Sequence, residues 1–161
     1  MGHRVHGGAI EGKELWNDLC ALDCTSVDSV TAFAFVFGFR MRAMEIWKEF
    51  RIEAAHRLPN VPAGHKCARL HGHSFRIALH VRGPVDERAG WVQDFADLGE
   101  VWRPLFEQLD HQYLNEVEGL ENPTSENLAR WVWARVKPGL PALSRVVIHE
   151  TCTSGCAYEG D

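Results

Sequence analysis

The chain has 161 residues, of which 45% are hydrophobic and 24% are charged, a composition typical of a single globular domain. Its formal net charge of -5 argues against a general nucleic-acid-binding protein, because such proteins neutralise phosphates with clustered lysine and arginine. The longest apolar run, residues 31–39, is about half the roughly 20 residues that a helix needs to cross a bilayer, so no membrane-spanning segment is predicted.

Residues 1–43 differ in pattern from the rest of the chain. They are glycine-rich at the start and lack sustained periodicity, whereas a clear strand pattern begins at Met44. We predict that residues 1–43 are an N-terminal extension, either poorly ordered or the result of a start codon placed too far upstream, and that residues 44–161 form the domain. A helix or strand that packs on the domain is the alternative for the extension.

The cysteine content indicates the redox environment. The chain has five cysteines, an odd number, and no recognisable secretory leader. Nothing in their spacing resembles a disulfide scaffold, so we expect a reducing, cytoplasmic location.

Two strands are predicted at the start of the domain. Apolar and charged residues alternate over residues 46–54, as in a half-buried strand, and His56 continues the apolar parity. A second alternation covers residues 75–81 and ends at a Gly-Pro pair. His71 and His73 precede it on its apolar parity.

Two helices are predicted next. Asp94 can cap a helix in which apolar residues recur at intervals of three and four as far as Leu109. We expect Pro104 to kink this helix or to mark a boundary within it. The second helix starts in the segment PTSE, residues 123–126, and stops at KPG, residues 137–139.

The order of the elements predicts the fold class. Two further strands follow the helices, at about residues 143–150 and from residue 157 to the end. Strand, strand, helix, helix, strand, strand indicates an α+β domain, with a four-stranded antiparallel sheet and two helices packed on one face.

Three histidines form a candidate metal site. His71 and His73 are two residues apart in a strand, so both rings point to the same face of the sheet. His56 ends the preceding strand on the matching parity, and antiparallel pairing would bring it opposite them. Three neutral nitrogen ligands are typical of catalytic Zn²⁺, which keeps one position open for water or substrate. Separate structural histidines are the alternative reading.

Cys67 is a candidate base or nucleophile. It lies in the loop between the two histidine-bearing strands, beside Lys66 and Arg69. Basic neighbours favour a thiolate, and a polar loop is a poor place to bury an inert thiol.

Two carboxylates have possible roles in the chemistry. Asp110 precedes His111, and a carboxylate beside an imidazole can orient a proton-transfer group. Glu150, followed by Thr151, could accept paired hydrogen bonds from an amidine-like edge of a heterocycle. Either motif alone is weak evidence.

Five segments taken together closely resemble the bacterial 6-carboxytetrahydropterin synthases, a branch of the wider 6-pyruvoyl-tetrahydropterin synthase family. The resemblance covers nearly all of residues 44–161. The segments are FRIEAAHRLP (50–59), GHKCARLHGHSF (64–75), LDHQYLN (109–115), NPTSE (122–126) and ETCTSGC (150–156). The short gap between Cys67 and His71 resembles the carboxy-forming branch, because the animal pyruvoyl-forming enzymes have a longer gap.

The resemblance implies a T-fold subunit that assembles into a homohexamer, a dimer of trimers, with active sites between subunits. It implies conversion of 7,8-dihydroneopterin triphosphate to 6-carboxy-5,6,7,8-tetrahydropterin, with release of acetaldehyde and triphosphate, in queuosine or 7-deazapurine biosynthesis. Zinc would be the cofactor, and neither a nucleic acid nor a membrane would be a partner.

The resemblance also assigns roles to individual residues. It gives the zinc ligands as His56, His71 and His73, the catalytic base as Cys67, the proton relay as Asp110 and His111, and the pterin-binding residues as Glu150 and Thr151. Weaker candidates for holding the triphosphate are His65, Lys66 and Arg69. Two alternatives stay open: a 6-pyruvoyl-tetrahydropterin synthase on the same site, and a non-catalytic zinc-binding member of the family.

Overall fold

The computed structural model describes residues 43–161, which form a four-stranded antiparallel sheet and two α-helices. The sheet has the order β1-β2-β3-β4. The strands are β1 (Met44–His56), β2 (His71–Gly83), β3 (Leu143–His149) and β4 (Gly155–Tyr158), and the helices are α1 (Phe95–Leu109) and α2 (Ser125–Val136). The predicted α+β class is confirmed. We predicted that residues 1–43 are an N-terminal extension. Of these residues only Ala43 is described, so the prediction falls outside the described part of the chain.

The core lies between one face of the sheet and the two helices. Alternate residues of β1 and β2 point into it, as the period-2 pattern predicts, and Phe75 at its centre is fully buried. The helices contribute apolar residues at helical spacing, which are Leu98, Trp102, Leu105 and Leu109 from α1, and Leu128, Trp131, Val132 and Val136 from α2. The opposite face of the sheet carries mostly polar and charged side chains, together with the exposed Trp47 and the buried Ala78.

Side-chain caps fix where the helices begin. Asp94 accepts a hydrogen bond from the backbone N–H of Ala96 at 2.8 Å, and Thr124 accepts one from Asn127 at 3.2 Å. The first cap confirms the predicted start of α1. The helix continues through Pro104, which therefore does not mark a boundary.

The last two strands differ slightly from their predicted bounds. β3 ends at His149 because Glu150 starts a tight turn, in which its N–H donates to the carbonyl of Ser154 at 3.1 Å. This turn lets Gly155 pair with His149, so β4 starts two residues earlier than predicted. None of the helices in residues 43–161 is long and apolar enough to cross a bilayer.

Candidate metal and substrate site

Three histidine rings meet where β1 ends and β2 begins. His56 is directly opposite His71 in the antiparallel register, and His73 is opposite Ala54. The ring centroids are 4.5 Å apart for His56 and His71, 5.1 Å for His56 and His73, and 5.0 Å for His71 and His73. The structure thus brings together the three residues predicted as metal ligands.

Backbone carbonyls orient two of these rings. The Nδ1 atom of His56 is 2.9 Å from the carbonyl oxygen of Pro123, and that of His71 is 2.8 Å from the carbonyl oxygen of Arg69. A carbonyl can only accept, so Nδ1 is the donor in both rings, and the Nε2 atoms are the ones available to a metal ion. Metal-binding histidines are commonly held in this way.

The electrostatics also favour a metal. The Nε2 atoms of His56 and His73 are buried and have no hydrogen-bond partner, an arrangement that costs free energy unless something binds there. Burial is the main reason that the pKa values of both histidines lie below the usual value of 6.5. Both rings are therefore held in the neutral form that metals require.

Glu150 joins the three histidines. Its Oε1 atom is 3.2 Å from Nε2 of His73 and 3.5 Å from Nε2 of His56. The four side chains each offer a ligand atom, all within 4.8 Å of one another, so this group can hold a metal ion. The other carboxylate oxygen accepts a hydrogen bond from the hydroxyl of Ser125 at 2.8 Å. The sequence patterns indicated neither contact.

Cys67 lies next to this group. It occupies a 3-10 turn, Lys66–Ala68, where its backbone N–H donates to Nδ1 of His65 at 3.2 Å. A cavity of about 530 Å³ opens in front of it, lined by Lys66, Cys67, Arg69, Leu70, His71, His73, Glu150, Thr151 and Ser154. The thiol, two of the histidines and the carboxylate therefore share one cavity. Two of the three candidates for holding triphosphate, Lys66 and Arg69, also line it.

Asp110 and His111 form a second polar unit. One oxygen of Asp110 accepts from the backbone N–H of Glu53 at 2.9 Å, and the other lies 2.8 Å from Nδ1 of His111. These two hydrogen bonds, the backbone one first, lower the pKa of Asp110. The carboxylate stays ionised and turns Nε2 of the exposed His111 ring outward.

The backbone at His111 is in the left-handed region, with a φ of 57°. Non-glycine residues seldom adopt this conformation, and such strain is often found at functional sites. Two backbone hydrogen bonds hold this segment against β1. The N–H of His111 donates to the carbonyl of Glu53 at 2.6 Å, and the N–H of Ala55 donates to the carbonyl of Gln112 at 3.0 Å. The strained residue is thus fixed by its neighbours.

Cys67 and His111 line different cavities within the subunit. His111 borders a cavity of about 500 Å³ that also includes Gly72, His73 and Ser74. His73 borders both cavities. The structure therefore places His111 of the predicted relay and Cys67 on two separate cavities, which share His73.

Comparisons with known proteins identify the family of this chain. A family model described as 6-pyruvoyl tetrahydropterin synthase matches residues 45–161. A 6-carboxy-5,6,7,8-tetrahydropterin synthase from Synechocystis is 45% identical over 119 residues, which cover 70% of this chain and 91% of that relative. A dihydroneopterin monophosphate aldolase from Pyrococcus furiosus is 39% identical over 72 residues, covering 45% of this chain and 60% of the relative.

A solved structure supports the same grouping. The 6-pyruvoyl tetrahydropterin synthase of Caenorhabditis elegans superposes with a TM-score of 0.70 and 29% sequence identity. The match covers 76% of this chain and 99% of that structure. The T-fold expected from the sequence resemblance is confirmed.

Proposed function

Because this chain belongs to the 6-pyruvoyl tetrahydropterin synthase family, we propose that it converts 7,8-dihydroneopterin triphosphate to 6-carboxy-5,6,7,8-tetrahydropterin, with release of acetaldehyde and triphosphate. The observation that carries this proposal is the single cavity that Cys67 lines together with His71, His73 and Glu150. A thiol beside a group of histidines with unpartnered nitrogens suits proton removal next to a polarised hydroxyl. The 45% identity to the Synechocystis relative supports the carboxy-forming reaction.

The three clustered imidazoles are the basis for the metal in the proposal. A zinc ion held by His56, His71 and His73 would supply a Lewis acid that polarises a side-chain hydroxyl of the substrate and acidifies the adjacent C–H bond. The hydrogen bonds of His56 and His71 to backbone carbonyls support this ligand set, because they direct both Nε2 atoms away from the backbone.

Cys67 is proposed as the base that removes the carbon-bound proton. Its place in the same cavity as His71 gives it access to a substrate carbon next to the polarised hydroxyl. His111, oriented by Asp110, is proposed to return the proton, since a carboxylate-bound imidazole can exchange protons through its outward nitrogen.

Cys67 and His111 line different cavities of the subunit, and this separation supports an oligomer. We propose a homohexamer, a dimer of trimers, in which His111 of one subunit serves the Cys67 cavity of another. β1 and β4 are the edge strands of the sheet, and Met44 and Trp47 on β1 are 54% and 60% exposed. Light scattering on the purified protein would measure the assembly.

Substrate orientation is assigned to the rim of the cavity. Glu150, followed by Thr151, is proposed to accept the N–H groups of the pterin edge, which would direct the substrate side chain toward the histidines. The cationic side chains of Lys66 and Arg69 border the same cavity and are proposed to hold the triphosphate. The product would enter queuosine or 7-deazapurine biosynthesis.

The nearer alternative is pyruvoyl formation on the same site, favoured by the structural match to the Caenorhabditis elegans protein. Both reactions eliminate triphosphate, so phosphate release cannot separate them. The test is incubation of the zinc-loaded protein with dihydroneopterin triphosphate, trapping of the aldehyde and mass measurement of the pterin, with Cys67→Ala as the inactive control. Acetaldehyde with a carboxypterin supports the proposal. An intact three-carbon side chain without acetaldehyde replaces it with the pyruvoyl-forming reaction.

A further inference from the structure

Glu150 lies in a position that its proposed role as a pterin anchor does not explain. Its Oε1 atom is 3.2 Å from Nε2 of His73 and 3.5 Å from Nε2 of His56, so the carboxylate points into the histidine group. A pterin edge that donates two N–H groups is best accepted by both carboxylate oxygens, whereas Oε1 here lies against the histidines.

The distances agree with metal coordination. Zinc bonds to nitrogen and oxygen are about 2.0–2.1 Å long, which places the ligand atoms of a tetrahedral site about 3.3–3.4 Å apart. The two separations from Glu150 lie on either side of that value. Both Nε2 atoms are buried without a hydrogen-bond partner, so a shared ion explains why the carboxylate and the rings approach each other.

Ser125 holds the carboxylate in this orientation. Its hydroxyl donates to the second oxygen of Glu150 at 2.8 Å, and the serine is only 8% exposed, at the first residue of α2. With one oxygen bound to Ser125 and the other directed at the histidines, the carboxylate has both oxygens engaged. Pairing with a pterin edge would require at least one of them to be released.

We propose that Glu150 is a displaceable fourth metal ligand, which closes the coordination sphere in the substrate-free protein and leaves it when the pterin edge binds. Ser125 acts as the positioning residue for the closed arrangement. In the metal-loaded protein, release of Glu150 would free one coordination position for the substrate. Pterin binding and metal binding then compete for the same carboxylate. A molecule that binds Glu150 therefore lowers the contribution of Glu150 to the metal affinity. This inference rests on the metal site of the proposed function.

Zinc affinity provides a test that does not depend on turnover. Competition with a chromophoric chelator is measured for the wild type, Glu150→Gln, Ser125→Ala and the control Glu49→Gln, which removes a carboxylate on the other face of the sheet. Glu150→Gln is expected to weaken zinc binding by at least roughly 10-fold, Ser125→Ala by less, and Glu49→Gln by under about 2-fold. Equal affinity in Glu150→Gln and the wild type overturns the proposal. If Glu150→Gln fails to fold, a wild-type affinity in Ser125→Ala overturns it instead.

Cobalt substitution tests the displacement. The absorption bands of the Co²⁺-loaded wild type are expected to change when unsubstituted pterin is added, because that probe has no side-chain hydroxyl to bind the metal itself. The Co²⁺-loaded Glu150→Gln protein is expected to show no such change. A wild-type spectrum that stays the same at saturating pterin, with binding verified by fluorescence, overturns the displacement. Absence of acetaldehyde in the turnover assay would refute the proposed reaction and leave these two results unaltered.

Discussion

His56 and His71 are directly opposite each other in the pairing of β1 and β2, with ring centroids 4.5 Å apart. The antiparallel register fixes this pair, and the strand period adds His73 on the same face. The two Nδ1 atoms donate to backbone carbonyls, so substitution of either ring removes an imidazole that is already oriented for the proposed metal.

The first prediction follows from that pair. His71→Ala is expected to lose most of the bound zinc while the sheet stays intact, because the ring is only partly buried and its removal leaves the core in place. Metal analysis of the purified protein, with circular dichroism to verify folding, checks this. His111→Ala is the matched control and is expected to retain the metal. A full complement of zinc in His71→Ala would remove this residue from the ligand set.

The second prediction concerns Cys67. Cys67→Ala is expected to keep fold and zinc but to lose turnover by roughly 10²- to 10⁴-fold, the usual cost of removing a general base. Cys156→Ala is the control, since Cys156 is also partly buried but lies on β4, outside the cavity of Cys67. Turnover of Cys67→Ala within a few-fold of the wild type would assign the base to another residue.

The third prediction uses the strained backbone at His111. His111→Gly is expected to raise the free energy of unfolding by about 1 kcal/mol, because glycine adopts a positive φ without steric cost. His111→Ala keeps a Cβ and is expected to give no such gain. If His111 is the proposed proton relay, both variants should also lose turnover, because neither carries the imidazole. Urea denaturation compares the three proteins, and a glycine variant no more stable than the alanine variant would argue against strain.

Much of the fold and part of the site follow from local sequence signals. The alternation in β1 and β2 predicts the shared face of the histidines, and Asp94 predicts the start of α1, because these features depend on neighbours in sequence. The bounds of β4 were less predictable. They depend on a turn in which Glu150 bonds to Ser154, and no periodic pattern encodes it.

The contacts of Glu150 could not be predicted in the same way. Its approach to His56 and its hydrogen bond with Ser125 join three elements that are far apart in sequence. The separation of Cys67 from His111 is likewise a property of the assembled subunit. The residue types alone suggested a shared role and gave no information on whether the two meet within one chain.

The fourth prediction is that residues 44–161 suffice for folding, assembly and turnover. β1 begins at Met44, the family model starts at residue 45, and residues from Ile52 to Ile148 form the buried core of the described part of the chain. A protein starting at Met44 should match the full-length chain in light scattering and specific activity. Aggregation or an altered assembly state would show that the preceding residues are structurally required.

The fifth prediction concerns pH and His80, a histidine outside the candidate metal site. His80 is 9% exposed on the polar face of the sheet, where its ring stacks on Trp47 and its Nδ1 is 3.4 Å from Glu45 and 3.2 Å from Arg145. Burial first, and then the positive charge of Arg145, lower the pKa of His80 below 6.5, although Glu45 opposes the change.

The folded protein therefore binds this proton less tightly than the unfolded chain does. The stabilisation from a neutral His80 is complete above the unfolded value of 6.5 and is lost as the pH falls through 6.5 toward the lower folded value. His80→Gln removes the titration and keeps a polar side chain. Its urea midpoint should fall less than that of the wild type between about pH 7.5 and about pH 5.5, at equal metal content.

Ser144→Ala is the control for this experiment. The Ser144 hydroxyl bonds to Glu45 at 3.1 Å and to the carbonyl of His80 at 3.2 Å, so its loss should lower stability at both pH values while the titrating ring stays in place. The wild-type pH dependence should therefore persist in Ser144→Ala and diminish in His80→Gln. Equal pH dependence in all three proteins would assign the acid sensitivity to other groups.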